Sequence, residues 1–288
     1  MNPELDTFTQ VSALVRRETS MVYDEGKGYL INARLNPLAN ALGLSIDDYV
    51  RRLSIDPIER RKAVDALTIN ETSWFRDNSP YQAFTDSLLP AIIEAKTPTA
   101  SRRIRIWSAA CSSGQEAYSI AMLCEQHLPE GWEYEIIGTD ISTEMVERVR
   151  AGRYSQVEIN RGLPATSLIT WFTREGREWQ VLDALRRRVE AKQMNLAAPY
   201  LGLGVFDLVL LRNVLIYFEP STKHDILRRM APMVTPHGFL MLGSAETTLD
   251  LPPDVAGLWR REQFGRVQTH RPVSPTPSAA TRSLTCAR

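Results

Sequence analysis

The apolar positions of residues 1–80 recur at three- and four-residue steps, the spacing of amphipathic helices. The steps pass through Phe8, Val11, Leu14 and Val15, and then through Leu35, Leu38, Ala41 and Leu42. Two helix starts are also predicted, one where Ser45 precedes an acidic turn and one where Pro57 takes the first helical position. We therefore predict an all-helical N-terminal domain over residues 1–80.

From residue 101 the pattern changes to short apolar runs that alternate with helical segments. We predict strands at 103–107, 134–140, 206–211 and 238–243, and helices at 116–128, 142–150 and 220–234. Strands that alternate with helices of this length are typical of a doubly wound, mostly parallel α/β sheet. The prediction is a Rossmann-like α/β domain over residues 81–266.

Two segments depart from this alternation. Residues 153–190 combine Tyr154, Trp171 and Trp179 with three consecutive arginines, and we interpret them as a small inserted subdomain. Residues 267–288 are rich in Pro, Ser, Thr and Ala and contain no acidic residue. Such a composition buries too little apolar surface to become ordered, so we predict a disordered tail there.

Composition narrows the functional classes. Lys+Arg and Asp+Glu are both 34, so no bulk charge draws the chain to nucleic acid. No apolar run approaches the roughly 20 residues of a membrane helix, and the first residues lack a signal-peptide pattern. The three cysteines and four histidines show neither disulfide nor metal-ligand spacing. We expect a cytoplasmic protein with no metal, no nucleic-acid partner and no membrane insertion.

The main chemical signal lies where the first two predicted strands end. Residues 108–114 bring a turn of small residues to the end of the first strand, where backbone can approach a ligand closely. Asp140 ends the second strand, at a place where a carboxylate can accept both hydroxyls of a ribose. Together they predict a nucleoside cofactor. The alternative is an ordinary turn at Gly114 and a helix N-cap at Asp140.

The charge of the turn indicates which cofactor. Dinucleotide sites favour several glycines, whereas Gly114 is the single glycine here. Glu116 follows two residues later, and a carboxylate at a helix start repels phosphate but suits an ammonium group. S-adenosylmethionine carries an amine and a sulfonium and no phosphate. The turn therefore favours it over NAD, although an NAD-dependent oxidoreductase remains an alternative.

Three stretches resemble the CheR family of chemotaxis receptor methyltransferases. They are TINETSWFRD at 68–77, IWSAACSSGQEAYS at 106–119 and LRNVLIYF at 211–218. They occur in the order of the family, and the resemblance extends over about residues 5–265. It implies a protein-glutamate O-methyltransferase that converts S-adenosylmethionine to S-adenosylhomocysteine. The implied partner is the cytoplasmic helical bundle of a methyl-accepting chemotaxis receptor.

The resemblance also implies site residues. The expected cofactor contacts are Asn70, Thr72, Arg76, Glu116, Asp140, Asn195, Leu196, Arg212 and Asn213. In the family's arrangement Glu116 lies near the methionine part of the cofactor and Asp140 binds the ribose, while Asn195 and Leu196 lie beside the adenine. Arg76 and Tyr217 would orient the incoming carboxylate. From the residues alone, Arg76 would most often be a salt-bridged surface residue, and Asn213 could equally cap the helix that begins near Pro220.

Two other functional classes stay open. A nucleic-acid methyltransferase is disfavoured because residues 212–215 read Arg-Asn-Val-Leu, which does not resemble the Asn-Pro-Pro-Tyr/Phe motif of amino-adenine methylases. A non-catalytic cofactor-sensing or adaptor module would keep the cofactor residues without turnover. Labelled cofactor and receptor-containing membranes would separate these classes.

Overall fold

The computed structural model describes residues 3–23, 26, 28–99 and 101–273. Its N-terminal part consists of helices α1 (Pro3–Thr19), α2 (Gly28–Ala41), α3 (Ile46–Leu53) and α4 (Pro57–Leu67). Ser45 caps α3 by accepting a hydrogen bond from the backbone N–H of Asp48, and Asp56 caps α4 with Pro57 in the first turn. Both predicted helix starts are confirmed, because each depends on local capping.

A linker leads from α4 into alternating helices and strands. In chain order these are α5 (Ser79–Ala83), α6 (Leu89–Lys96), β1 (Arg103–Ala109), α7 (Gln115–His127), β2 (Glu133–Asp140), α8 (Thr143–Ala151), β3 (Arg153–Ser155), α9 (Gln156–Ile159), α10 (Ala165–Trp171), β4 (Phe172–Glu175), β5 (Glu178–Val181), α11 (Asp183–Arg186), β6 (Val189–Gln193), β7 (Phe206–Leu211), α12 (Pro220–Met230), β8 (Val234–Leu242), α13 (Pro253–Ala256), β9 (Trp259–Phe264) and β10 (Val267–Pro272).

Seven strands form the main sheet, in the order β6-β2-β1-β7-β8-β10-β9. The first five run parallel to their neighbours, and β10 and β9 add an antiparallel edge. The predicted doubly wound α/β fold behind an all-helical N-terminal domain is confirmed. Because β1, β2 and β7 are adjacent and parallel, their carboxyl ends meet at one edge of the sheet, where such folds bind ligands.

The predicted tail boundary is wrong for one strand. Residues 267–272 form β10, which pairs with β8 on one side and β9 on the other. Val267, Thr269 and His270 are buried, so this segment gains order from pairing with distant strands and not from its own composition. Residues 274–288 of the predicted tail lie outside the described residues.

Between α8 and β6 the chain forms a second, separate sheet. It has the strand order β3-β5-β4 and is antiparallel throughout. The sheet and its flanking helices occupy most of the predicted insertion, but residues 189–190 already belong to β6 of the main sheet. Tyr154 on β3 is buried and packs edge-on against Trp74 and Phe172.

The N-terminal helices share a continuous apolar core with one face of the main sheet. Side chains such as Val11, Leu35 and Leu67 belong to the same cluster as Trp107 and Leu211 on the central strands. This shared core fixes the helices close to the carboxyl ends of the strands. Within the described residues, no helix combines the length and apolar character needed to cross a membrane.

Candidate active site

A cleft opens at the carboxyl ends of β1, β2 and β7, beneath the linker that follows α4. It holds about 650 Å³ of empty space, open solvent included. The sequence-predicted residues that line it are Asn70, Thr72, Arg76, Glu116, Asp140, Arg212, Asn213 and Tyr217. Residues far apart in the chain thus meet where the sequence analysis expects a cofactor.

The turn between β1 and α7 forms one wall of the cleft. Ala110, Ser112 and Gly114 all have positive φ, at 59°, 49° and 96°. A Cβ at Gly114 would come within 3.0 Å of Val149 and 3.1 Å of the Tyr154 hydroxyl, so glycine is required by space as well as by φ. Of this turn, Ala110, Cys111 and Ser112 line the cleft.

Asp140 ends β2 with its side chain buried at the base of the cleft. Its Oδ2 accepts a hydrogen bond from the Ser112 N–H at 2.8 Å, and its Oδ1 accepts one from the Ser142 N–H at 2.9 Å. Burial raises the pKa of Asp140 to about 6, although these backbone bonds oppose the shift. The N-cap alternative for Asp140 is wrong, because the Ser142 hydroxyl caps α8 by accepting from Met145.

An ion-pair cluster centred on the buried Arg212 joins three chain segments beside the turn. Arg212, at the end of β7, donates from Nη1 to Glu116 Oε2 at 3.0 Å and from Nη2 to Asp77 Oδ2 at 2.8 Å. The same Nη2 donates to the Arg76 carbonyl at 2.9 Å. Burial lowers the pKa of Arg212, but the negative charges of Glu116 and Asp77 outweigh it and the net shift is upward.

The cluster has a net negative charge, and it gives the cleft a negative corner at the Glu116 carboxylate, whereas Asp77 does not line the cleft. Two carboxylates, those of Glu116 and Asp77, face the one guanidinium of Arg212. Glu116 Oε1 also accepts from the Ser108 hydroxyl at 2.7 Å, so its carboxylate is held at the start of α7. An ammonium group placed there would be attracted and a phosphate repelled. This arrangement agrees with the charge argument made from the sequence.

Arg76 and Tyr217 lie on the open side of the cleft. Arg76 donates to the Glu71 carbonyl at 2.9 Å and forms no ion pair with any described residue. Its neighbours Phe75 and Asp77 have φ of 47° and 68°, a rare backbone state that the packed linker holds in place. Burial raises the pKa of Tyr217 and the positive charge of Arg76 opposes this, so the two side chains are within electrostatic reach.

Asn195 and Leu196 are not among the residues that line the cleft. The Asn195 amide nitrogen donates to the Glu18 carbonyl at 3.0 Å, and its oxygen accepts from the Ala197 N–H at 2.8 Å. Leu196 is buried in the apolar core. Because the Met194 N–H donates to the Asp140 carbonyl, the segment does lie next to the predicted ribose site. The adenine contacts assigned to Asn195 and Leu196 stay a prediction.

Two residues near the site were missed by the sequence analysis. Met21, which follows α1, lines the cleft and pairs as an isolated β-bridge with Phe218. Glu246, which follows β8, accepts four backbone hydrogen bonds from the loop after β7 and from Gly243. No side-chain pattern marks either residue, because Met21 pairs through its backbone and the partners of the Glu246 carboxylate are main-chain N–H groups. Within the part of the chain that is described, no cluster of side chains could hold a metal ion.

Comparison with known families accounts for both parts of the chain. A family model described as the all-alpha domain of the CheR methyltransferase matches residues 6–68. A second, described as the S-adenosylmethionine-binding domain of the CheR methyltransferase, matches residues 70–256. The chain belongs to the CheR methyltransferase family. The expected enzyme class and cofactor, a protein-glutamate methyltransferase that uses S-adenosylmethionine, are thereby confirmed.

Curated relatives agree over most of the chain. The chain is 38% identical to the chemotaxis protein methyltransferase Cher2 of Pseudomonas putida, over 85% of this chain and 91% of the relative. It is 39% identical to a chemotaxis protein methyltransferase of Vibrio parahaemolyticus, over 85% of this chain and 90% of the relative. A solved TehB-like methyltransferase from Corynebacterium glutamicum aligns with a TM-score of 0.39 at 10% identity, over 68% of this chain and all of that one, which is too distant to add weight.

Proposed function

We propose that this CheR methyltransferase uses the described cleft to transfer a methyl group from S-adenosylmethionine to glutamate side chains on the helical bundle of a chemotaxis receptor. The observation that carries the proposal is the meeting of Asp140, the Glu116–Arg212 cluster, Arg76 and Tyr217 in one cleft. These residues come from four separate segments, and each supplies a group suited to one part of the reaction.

The donor set fits the proposed cofactor. Asp140 retains unused lone pairs after accepting from Ser112 and Ser142, so its carboxylate can accept ribose hydroxyls. The negative corner at Glu116 suits the ammonium of the methionine part. Arg76 has no carboxylate partner among the described residues, so its guanidinium is available to bind a carboxylate that enters the cleft.

The chemistry requires orientation more than acid–base catalysis. A glutamate carboxylate, with an ordinary pKa of about 4.3, is already ionised at neutral pH, so no general base is needed. The cofactor supplies an electrophilic methyl group: a C–O bond to the carboxylate forms while the C–S bond breaks, and S-adenosylhomocysteine leaves. Opposite charges cancel during transfer, so a cleft that excludes water favours the reaction.

Arg76 and Tyr217 are proposed to position the substrate carboxylate. Correct placement of two reacting groups can supply about 7–11 kcal/mol. An ion pair between Arg76 and the carboxylate that is too strong would stabilise the ground state and slow transfer. The Tyr217 hydroxyl can instead hold the carboxylate through a hydrogen bond, since burial raises its pKa and keeps it protonated.

The basic residues of the N-terminal helices are a proposed docking surface for the acidic receptor bundle. Arg51 pairs with Asp48 at the edge of α3, and Arg52 pairs with Asp56. Exposed pairs of this kind contribute only about 0.2–1 kcal/mol, so a receptor carboxylate can replace the internal partner at little cost. Because receptor bundles of this type are cytoplasmic, we also propose a cytoplasmic location.

The test is incorporation of label from methyl-labelled S-adenosylmethionine into receptor-containing membranes. The expected product is a base-labile methyl ester on the receptor, absent when the receptor's methylatable glutamates are replaced by alanine. Label in added nucleic acid, or hydride transfer with NAD, would support the rival classes. Cofactor binding without any label transfer would leave a cofactor-sensing module and would overturn the proposal.

A further inference from the structure

The carboxylate of Glu246 holds together the loop that follows β7. Oε2 accepts from the N–H groups of Gly243 at 2.7 Å and Asn213 at 2.9 Å. Oε1 accepts from the N–H groups of Val214 at 2.8 Å and Leu215 at 2.6 Å. A carboxylate offers about four lone-pair sites, and all of them are used by backbone N–H groups.

The backbone of this loop is shaped around an anion. Asn213 has φ of 59°, which turns the N–H groups of residues 213–215 toward one point away from the sheet. Gly243 completes the site: a Cβ there would come within 2.8 Å of both the Asn213 nitrogen and Glu246 Oε2. Any larger residue at Gly243 would separate the carboxylate from the loop.

The loop carries residues that line the active-site cleft, whereas Glu246 does not line it. Asn213, Val214 and Tyr217 all face the cleft, and a short 3-10 turn over Leu215–Tyr217 connects the anchored N–H groups to Tyr217. On its other side the loop is fixed by the Val22 N–H, which donates to the Tyr217 carbonyl at 2.8 Å. Glu246 therefore contacts the cleft-lining residues through this loop, and, in addition to burial, its negative charge also helps to raise the pKa of Tyr217.

We propose that Glu246 is a positioning residue for methyl transfer: its carboxylate fixes residues 213–215 so that Tyr217 stands in the place required for the reaction. This inference rests on the proposed function. The ionised carboxylate is required, because glutamine would keep one oxygen and turn an N–H₂ group toward two backbone N–H donors. A displacement of about 1 Å in a positioned group can lower the rate about 100-fold.

Glu246→Gln tests the proposal on the full chain. Amide hydrogen exchange at residues 213–215 and 243 is expected to become at least about tenfold faster, with exchange in β7 unchanged. At saturating receptor and cofactor, kcat is expected to fall about 10- to 100-fold. Cofactor Kd should rise by a smaller factor than kcat falls, because Asp140 and Glu116 lie on other elements and only Asn213 among the expected cofactor contacts lies on the anchored loop.

The matched control is Glu158→Gln. The carboxylate of Glu158 on α9 also accepts a backbone N–H, from Ser155 at the end of β3, and Glu158 does not line the cleft. It should leave kcat and exchange at residues 213–215 unchanged. If Glu246→Gln does not fold, Glu246→Asp, which keeps the charge but is one methylene shorter, is used in the same measurements.

A double-mutant cycle with Tyr217→Phe separates this role from a general loss of stability. If Glu246 acts through Tyr217, the double variant should be no more than about twofold slower than the slower single variant. Multiplied losses, an unchanged exchange rate at residues 213–215, or an unchanged kcat for Glu246→Gln would each overturn the proposal. If kcat falls without faster exchange at residues 213–215, Glu246 does not act by holding this loop. A wild-type protein that transfers no methyl group would instead overturn the proposed function.

Discussion

Replacing Asp140 with asparagine tests the predicted ribose site with almost no change in side-chain size. The two Asp140 oxygens accept from the N–H groups of Ser112 and Ser142. Asparagine keeps one oxygen and places N–H₂ against the other backbone donor, so it loses both the charge and an acceptor. We expect the loss of charge-assisted hydrogen bonds to weaken S-adenosylmethionine binding by about 1.5–3 kcal/mol. This corresponds to a Kd about 10- to 150-fold higher.

The raised pKa of Asp140 gives the same test a second arm. Burial raises this pKa to about 6, so the carboxyl group is protonated below pH 6 and ionised above it. If the ionised form binds the ribose, affinity must rise as pH increases through 6 and reach a plateau above about pH 7. For a single proton that competes with the ligand, binding at pH 5 should be about tenfold weaker than at pH 8.

Isothermal titration calorimetry between pH 5 and pH 8 measures both effects. The wild type should follow the single-proton curve, while Asp140→Asn should bind weakly at every pH because it has no proton to lose. Asp254→Asn, which removes an exposed carboxylate that pairs with Arg228, serves as the control and should match the wild type. Equal affinity of Asp140→Asn and wild type, or a flat wild-type profile, would remove Asp140 from the ribose site.

Three other substitutions test the rest of the site. Arg76→Ala should lower kcat/KM about 10- to 100-fold but change the free energy of unfolding by less than about 1 kcal/mol, and full activity would leave Arg76 a packing residue. Arg212→Ala should lower the free energy of unfolding by about 3 kcal/mol, which corresponds to a melting temperature about 6–12 °C lower, because two carboxylates lose their partner. An unchanged melting curve would contradict this prediction. Reversing Arg51 and Arg52 to Glu should lower the methylation rate at limiting receptor at least about threefold while cofactor Kd stays constant. The wild-type rate should also fall with added salt, and a salt-insensitive rate would argue against docking on these arginines.

Local patterns predicted most of the secondary structure. The N-cap at Ser45, the proline at position 57 and the apolar run 206–211 each specify an element within a few residues, so the positions of these elements follow from sequence. β10 was missed because Thr269 and His270 are buried by pairing with strands elsewhere in the chain. Composition cannot show such non-local pairing. The pairing buries His270 so deeply that its pKa is lowered to about 4.

The sequence predicted those residues of the candidate site that contribute a side chain to the cleft. Asp140 and Glu116 follow from strand ends and charge, and Arg212 and Asn213 from a stretch that resembles a known family. Glu246 could not be found in this way, because its four partners are main-chain N–H groups whose direction depends on the positive φ of Asn213. A sequence shows which acids are present but not which backbone groups they bind.

The N-terminal domain reaches the cleft through residues that follow its helices, and hydrogen bonds join it to the sheet domain. Asp65 on α4 accepts from the backbone N–H and hydroxyl of Thr143 at the start of α8, at 3.0 and 2.6 Å. The Ser112 hydroxyl donates to the Asn70 carbonyl at 2.7 Å, which joins the linker to the turn beside Asp140. Met21 closes the same cleft from the end of α1. Because these contacts lie beside the proposed ribose site, we expect cofactor binding and the seating of the helical domain on the sheet to stabilise each other.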